Sequence, residues 1–206
     1  MESDIVETIT DWCEFGENRA YILMCFSRRK FNPDITNSKE VIHRRVLTAE
    51  DQVEDQLADL YALMNRHELH FRLYLTVNAR DTVSTYYGFI QEMMDRSEQL
   101  YNGDDGAHTV IERMGSEWKS TLHKEAHKDD QYFHFDLDDV TNSEAMRFKN
   151  QCNDVSDVVG QFQSPNGWHV ITEPFNYTTW TPIVEYDEMD TDGMIHIDEI
   201  NNRADT

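Results

Sequence analysis

The run Tyr132–Asp139, YFHFDLDD, read with the later run Ser164–Thr172, SPNGWHVIT, decides the fold. Side chains alternate between the faces of an extended strand. Phe133, Phe135 and Leu137 therefore point into a core, and His134, Asp136 and Asp138 point the other way. Two carboxylates about 7 Å apart along a strand, on a rigid apolar base, suit a hard divalent cation such as Mg²⁺. Mg²⁺ takes one or two protein carboxylates and leaves its other positions to water and phosphate. In the second run, Pro165-Asn166-Gly167 makes a tight turn after Ser164, and Trp168–Thr172 is extended. Such a turn offers backbone N–H groups and a hydroxyl to an anion. His169, just beyond it, can donate to a phosphate oxygen or relay a proton.

A third carboxylate comes from Met194–Ile200, MIHIDEI, where alternation sets Ile195 and Ile197 on one face and His196 and Asp198 on the other. Asp187 competes with Asp198 for that role. The expectation is open to a direct geometric test: Asp198 must share a surface with Asp136 and Asp138, and His169 must lie on the same side.

Around these runs the chain reads as one α+β or α/β domain of residues 21–206 behind an arm or short helix at 1–20. Ile5, Ile9, Trp12 and Phe15 recur at helical spacing, and Tyr21–Phe26 is a buried strand. Ser27, Arg28, Arg29 and Lys30 follow it as the densest basic cluster, a solvated strand end or a phosphate-contacting loop. Val41–Leu47 is a strand. Thr48 opens a helix with Val53, Leu57, Leu60 and Met64 inward, and Phe71–Val77 alternates as another strand. Asp81 or Thr82 caps a long helix whose buried face is Val83, Tyr86 or Tyr87, Ile90 and Met94. Thr141 caps a second, with Ala145, Phe148, Cys152, Val155 and Val159 inward and Gly160 at its end. Between them the polar segment 123–130 reads as a loop, with His123 and His127 at its surface. Ile183–Tyr186 and Met194–Ile200 read as a hairpin around Asp192-Gly193.

Forty acidic residues against 18 basic ones give a formal net charge of −22. The acid is spread along the chain, and arginines outnumber lysines. That pattern suits a halophile's salty cytoplasm, where the Debye length shrinks to ~3 Å at molar salt. Under those conditions net charge does not exclude a nucleic-acid substrate. No 18-residue apolar run and no signal-like start appear, so a cytoplasmic protein without membrane partners is expected. Cys13, Cys25 and Cys152 are sparse and have no zinc-type pairing, so neither a disulfide framework nor zinc is expected.

Taken in chain order, FHFDLDD (Asp136, Asp138), SPNGWH (Ser164, Gly167, His169) and IHID (Asp198) resemble the motifs of the archaeo-eukaryotic primase superfamily. That superfamily includes the primase-polymerases of plasmids and viruses, and the likeness spans roughly residues 70–200. The resemblance implies an RRM-like mixed sheet flanked by helices. It also implies a metal-dependent nucleotidyltransferase of DNA replication, virus-encoded or from the halophile itself. Asp136, Asp138 and Asp198 would hold Mg²⁺ or Mn²⁺. Ser164, Asn166, Gly167 and His169 would bind the nucleotide, and the partners would be nucleoside triphosphates, a DNA template and a helicase or other replication protein.

Three other readings use the same residues. A non-catalytic RRM-like module would bind nucleic acid or a replication partner, and its carboxylates would fail to converge. DLDDV also fits the first motif of haloacid-dehalogenase-like phosphatases. Glu188–Glu199 approaches an EF-hand calcium loop, which excludes the hairpin.

Overall fold

The computed structural model describes residues 2–36, 40–103, 105–124, 127–129 and 131–203. It has the α+β character expected, but two antiparallel sheets replace the single mixed one. The larger sheet runs β2 (Val41–Leu47), β1 (Arg19–Ser27), β3 (His70–Thr76), β9 (Met194–Asn201), with the two-residue β4 (Arg80–Asp81) also on β1. The smaller runs β6 (Val158–Gln163), β7 (Gly167–Thr172), β5 (Phe133–Asp138), β8 (Glu188–Asp190).

Strand β1 is apolar from Ala20 to Phe26 because both of its faces are covered. Tyr21, Leu23 and Cys25 enter a core with Ile9 of α1 (Glu2–Trp12) and with Leu57, Leu60 and Met64 of α2 (Val53–Met64). Ala20, Ile22, Met24 and Phe26 join Leu122 of α5 (Met114–Leu122) on the other face. Each fully buried Leu or Ile contributes about 1.5–3 kcal/mol of transfer free energy, so of the arm and the short helix expected at the N-terminus it is the helix that forms and docks. In the smaller sheet Phe135 and Leu137 pack on Phe148 and Cys152 of α6 (Asn142–Asn153), which leaves His134, Asp136 and Asp138 on the opposite face. Thr141 caps α6, as the sequence predicts, and the structure adds Glu144 reaching back to the Thr141 N–H.

Some expectations fail for tertiary reasons. Thr48 does not cap α2: a 3-10 turn at Glu50–Gln52 precedes the helix, and Thr48 N–H and its hydroxyl both donate to Gln52 Oε1 instead of Thr48 accepting from the first turn. The hairpin of Ile183–Tyr186 with Met194–Ile200 does not form: 183–186 is not a strand, the short β8 that follows it pairs with β5, and β9 pairs with β3, so Asp192-Gly193 carries the chain from one sheet to the other. The same residues have strands rather than helices at their ends, so they are not a calcium loop. Helix α6 ends at Asn153, Val155 and Val159 are exposed, and Gly160 lies within β6. Asp81 does cap α3 (Thr82–Tyr101), accepting from Val83 N–H and Ser84 N–H. Yet the apolar face assigned to the interior of α3 is exposed.

Within the segment 123–130, residues 125, 126 and 130 lie outside the described ones. His127 is half-buried against Ser84, and His123 lines the cleft described below. Cys13, Cys25 and Cys152 are all buried and unpaired by disulfide. Among the described residues no helix is long and apolar enough to cross a membrane.

Candidate functional site

The two sheets face each other across a cleft of about 710 Å³. One wall carries Asp136, Asp138, Asp187 and Glu188, and the other carries Arg28, Lys30 and Arg72. Strand alternation builds both. Asp136 and Asp138 stand on the solvent side of β5, while Arg72 and Tyr74 stand opposite Leu73 and Leu75 on β3. The guanidinium of Arg72 lies 4.8 Å from the Phe31 ring and its Nε is 3.4 Å from Glu199, which holds it at the cleft. Arg28 lies 4.4 Å over Phe26, and Phe26 stacks on Tyr74 at 4.8 Å.

On the acidic wall Asp136 is the focus. Its Oδ1 is buried without a hydrogen-bond partner. Burial and the charges of Asp138, Asp187 and Glu188 push its pKa up to about 6. His169 is its cross-strand neighbour, with Nε2 3.6 Å from that oxygen. The Nδ1 of His169 accepts from the backbone N–H of His196 at 3.4 Å, which assigns the proton to Nε2, aimed at the cleft. Burial and the neighbouring histidines lower its pKa to about 3, so the ring is neutral at physiological pH. His134 packs edge-on against it at 4.5 Å and is likewise held neutral by burial.

The Ser164–Gly167 turn sits at the rim. Ser164 N–H donates to Gly167 O at 2.9 Å, and Asp139 N–H donates to Asn166 O at 2.8 Å. The Ser164 hydroxyl is buried without a partner. Only glycine fits at 167, because a Cβ there would stand 1.9 Å from Leu137 O. Ser164, Asn166 and His169 line the cleft, and Gly167 presses the turn onto β5.

Asp198 does not join them. Its Oδ2 accepts from the Tyr61 hydroxyl at 2.7 Å, on the α2 side of the larger sheet. The cause is a β-bulge: Leu73 pairs with Asp198 but Tyr74 with His196, so Ile197 is an extra residue. One inserted residue reverses the alternation. Asp198 thus shares the face of Leu73 and Ile200, while His196 keeps the face of Tyr74.

The third acid at the cleft is Asp187. Its N–H donates to Asp136 O at 2.8 Å and its Oδ2 accepts from Asp138 N–H at 2.8 Å, which ties it to the paired strand. The sequence offered Asp187 only as a rival, because it lies just before β8 rather than in an alternating run. Arg72 was missed because it carries no motif; the one signal for it is that it alternates with Phe71 and Leu73 along β3.

Among the described residues no three His, Cys, Asp or Glu side chains are assembled closely enough to hold a metal ion by themselves. The donor set still fits a hard cation, because Asp136 presents a bare buried oxygen among carboxylates and Mg²⁺ draws its remaining ligands from water and phosphate.

The raised pKa of Asp136 has a thermodynamic consequence. Between its unfolded value and about 6 the folded chain binds the extra proton, so this group's contribution to stability is lost as pH rises through that window. The buried histidines act in the opposite sense, costing stability as pH falls below their unfolded value. Asp136→Asn should therefore melt at least about 3 °C above the parent at neutral pH, the gain vanishing near the unfolded carboxylate pKa. Thermal melts across that pH range in constant high salt check it; a pH-independent gain would show that Asp136 is not strained.

No family model, curated protein or solved structure matches this chain.

Proposed function

We propose that the cleft is a nucleotidyltransfer site of the primase-polymerase type. It would bind a nucleoside triphosphate with a divalent cation and add the nucleotide to a strand on a DNA template. The single observation that carries the reading is the pairing of opposite walls. In a chain of net charge −22, Arg28, Lys30 and Arg72 line the same cleft as Asp136, Asp138 and Asp187. A polyanion bridged by cations to carboxylates needs both walls, and a simple cation site needs only one.

Asp136, Asp138 and Asp187 would hold Mg²⁺ or Mn²⁺, which when bound supplies Lewis-acid polarisation of the phosphate and charge neutralisation of the leaving pyrophosphate. The chain's own residues do the rest. His169 donates its Nε2–H to a phosphate oxygen, and the buried Ser164 hydroxyl supplies a second donor beside it. Arg28, Lys30 and Arg72 offset the triphosphate charge from the far wall. Because the triphosphate would be held by preset groups on both walls, its α-phosphorus is fixed in place for the incoming 3′-hydroxyl. Asp198 has no part in this reading, and Asp187 takes its place. The setting is DNA replication in a salty cytoplasm, cellular or viral, with a helicase or another replication protein as the natural partner.

The test is incorporation of labelled nucleotide on primed and unprimed DNA with Mn²⁺ in molar KCl. Products that disappear in Asp136→Asn/Asp138→Asn, with circular dichroism unchanged, are expected. Template binding without incorporation would replace this reading with a non-catalytic nucleic-acid module, and binding of neither nucleotide nor template would end both.

A further inference from the structure

Helix α3 carries a surface that the cleft does not use. Two helices already pack on α3: α4 (Asp105–Glu112) lies along it, and on the α5 side Thr85 is buried, Phe89 meets Trp118 edge-on at 5.5 Å, and Glu92 bonds Lys124 Nζ and Thr121 Oγ1. On the outer side stand Val83, Tyr87, Ile90, Met94, Ser97 and Tyr101. Successive steps of four and three residues make a heptad seam over the whole 20-residue helix. Val83 is 42% exposed, Tyr87 68%, Ile90 37%, Met94 67% and Tyr101 91%. Heptad spacing is what a helix presents to another helix, since each seam residue enters a hole between four residues of its partner.

We propose that this seam pairs with α3 of a second copy of the chain, the two helices running antiparallel. The sequence of the seam is complementary to its own reverse. Turned about residue 92, Val83 meets Tyr101 of the second copy, Tyr87 meets Ser97 and Ile90 meets Met94. Two of the three layers set a large ring against a small side chain. On one flank Tyr86 meets Leu100 and Met93 meets its own equivalent. On the other Ser84 meets Glu98 and Gln91 meets its own equivalent. No carboxylate faces a carboxylate anywhere along the contact, although the chain carries a net charge of −22.

Orientation follows from the seam itself. An antiparallel pair sets Tyr87 against Ser97 and Tyr101 against Val83, whereas a parallel pair would set each tyrosine against its own equivalent. The area suffices as well. Aromatic side chains bury about 150–250 Å² each, so three exposed tyrosines per copy with Met94 and Ile90 reach roughly the 1,000 Å² that a specific interface needs. The inference stands apart from the nucleotidyltransfer reading, because no seam residue lines the cleft.

The test is molar mass by light scattering in molar KCl, combined with single-cysteine crosslinking of the full chain. The three native cysteines are buried and do not compete. A dimer is expected, reduced to a monomer by Ile90→Asp with the melting temperature and the cleft's nucleotide binding unchanged. Met93→Cys should give a disulfide-linked dimer. Tyr101→Cys should not, since its two copies lie about 27 Å apart at 1.5 Å per residue. A monomer up to the highest soluble concentration, a dimer indifferent to Ile90→Asp, or crosslinking through Tyr101→Cys in place of Met93→Cys would each overturn the proposal.

Discussion

Asp187→Asn is expected to lower nucleotide incorporation at least about a hundredfold, whereas Asp198→Asn should leave it within about twofold. The two substitutions are chemically identical, so the contrast isolates position. Asp187 is bonded to Asp138 N–H, lines the cleft and raises the pKa of Asp136 through its charge. Losing that charge removes a prospective cation ligand while the amide can still accept the strand's hydrogen bond. Asp198 lies across the sheet against Tyr61, where asparagine keeps an acceptor for the same hydroxyl. Incorporation should be measured under single turnover with saturating Mn²⁺, so that product release does not mask the chemical step. Equal losses in both variants would contradict the assignment of the third acid. Losses in neither would remove the carboxylate cluster from the chemistry.

Arg80→Met should cost about 3–5 kcal/mol of folding stability, a large part of the 5–15 kcal/mol that holds a domain together. Arg80 is fully buried; its Nη1 donates to Asp192 Oδ2 at 3.0 Å, and its Nη2 makes a close ion-pair contact with Oδ1 at 2.7 Å. Removing the guanidinium takes a fully buried cation away from a largely buried carboxylate, and the desolvation no longer offset by that pair is the source of the loss. The pair also fixes the place where the chain leaves β8 and enters β9. Gly193, next to Asp192, lies so close to His134 that a Cβ would come within 2.4 Å of the ring. Arg80→Met/Asp192→Leu, which removes both charges, should recover at least half of the loss. Chemical denaturation at fixed high salt measures all three proteins. A cost below about 1 kcal/mol for Arg80→Met would mean that the pair behaves as an exposed one.

The acidic strand, the histidine turn and the caps at Asp81 and Thr141 were legible because they depend on local chemistry. Phe133, Phe135 and Leu137 had to share a face if the segment was extended at all, and Thr141 with Glu144 closes a cap from residues three apart. The outer face of α3 shows the limit of that reasoning. Val83, Tyr87, Ile90 and Met94 repeat like a core face, and periodicity tells that an apolar stripe exists without telling what covers it. The Arg28–Lys30 cluster was equally visible, but its role waited on the other wall of the cleft.

What the sequence determined by itself is therefore a set of strands, caps and turns, together with the side of its strand on which each polar residue stands while the alternation is unbroken. Only the tertiary structure decided that there are two sheets instead of one, that Asp192-Gly193 passes between them, and that Asp187 rather than Asp198 meets the acidic pair. The physical reason is that alternation is a property of one strand, whereas a bulge is a property of two. The extra residue at Ile197 exists only in the register between β3 and β9, and it alone turns Asp198 to the far side.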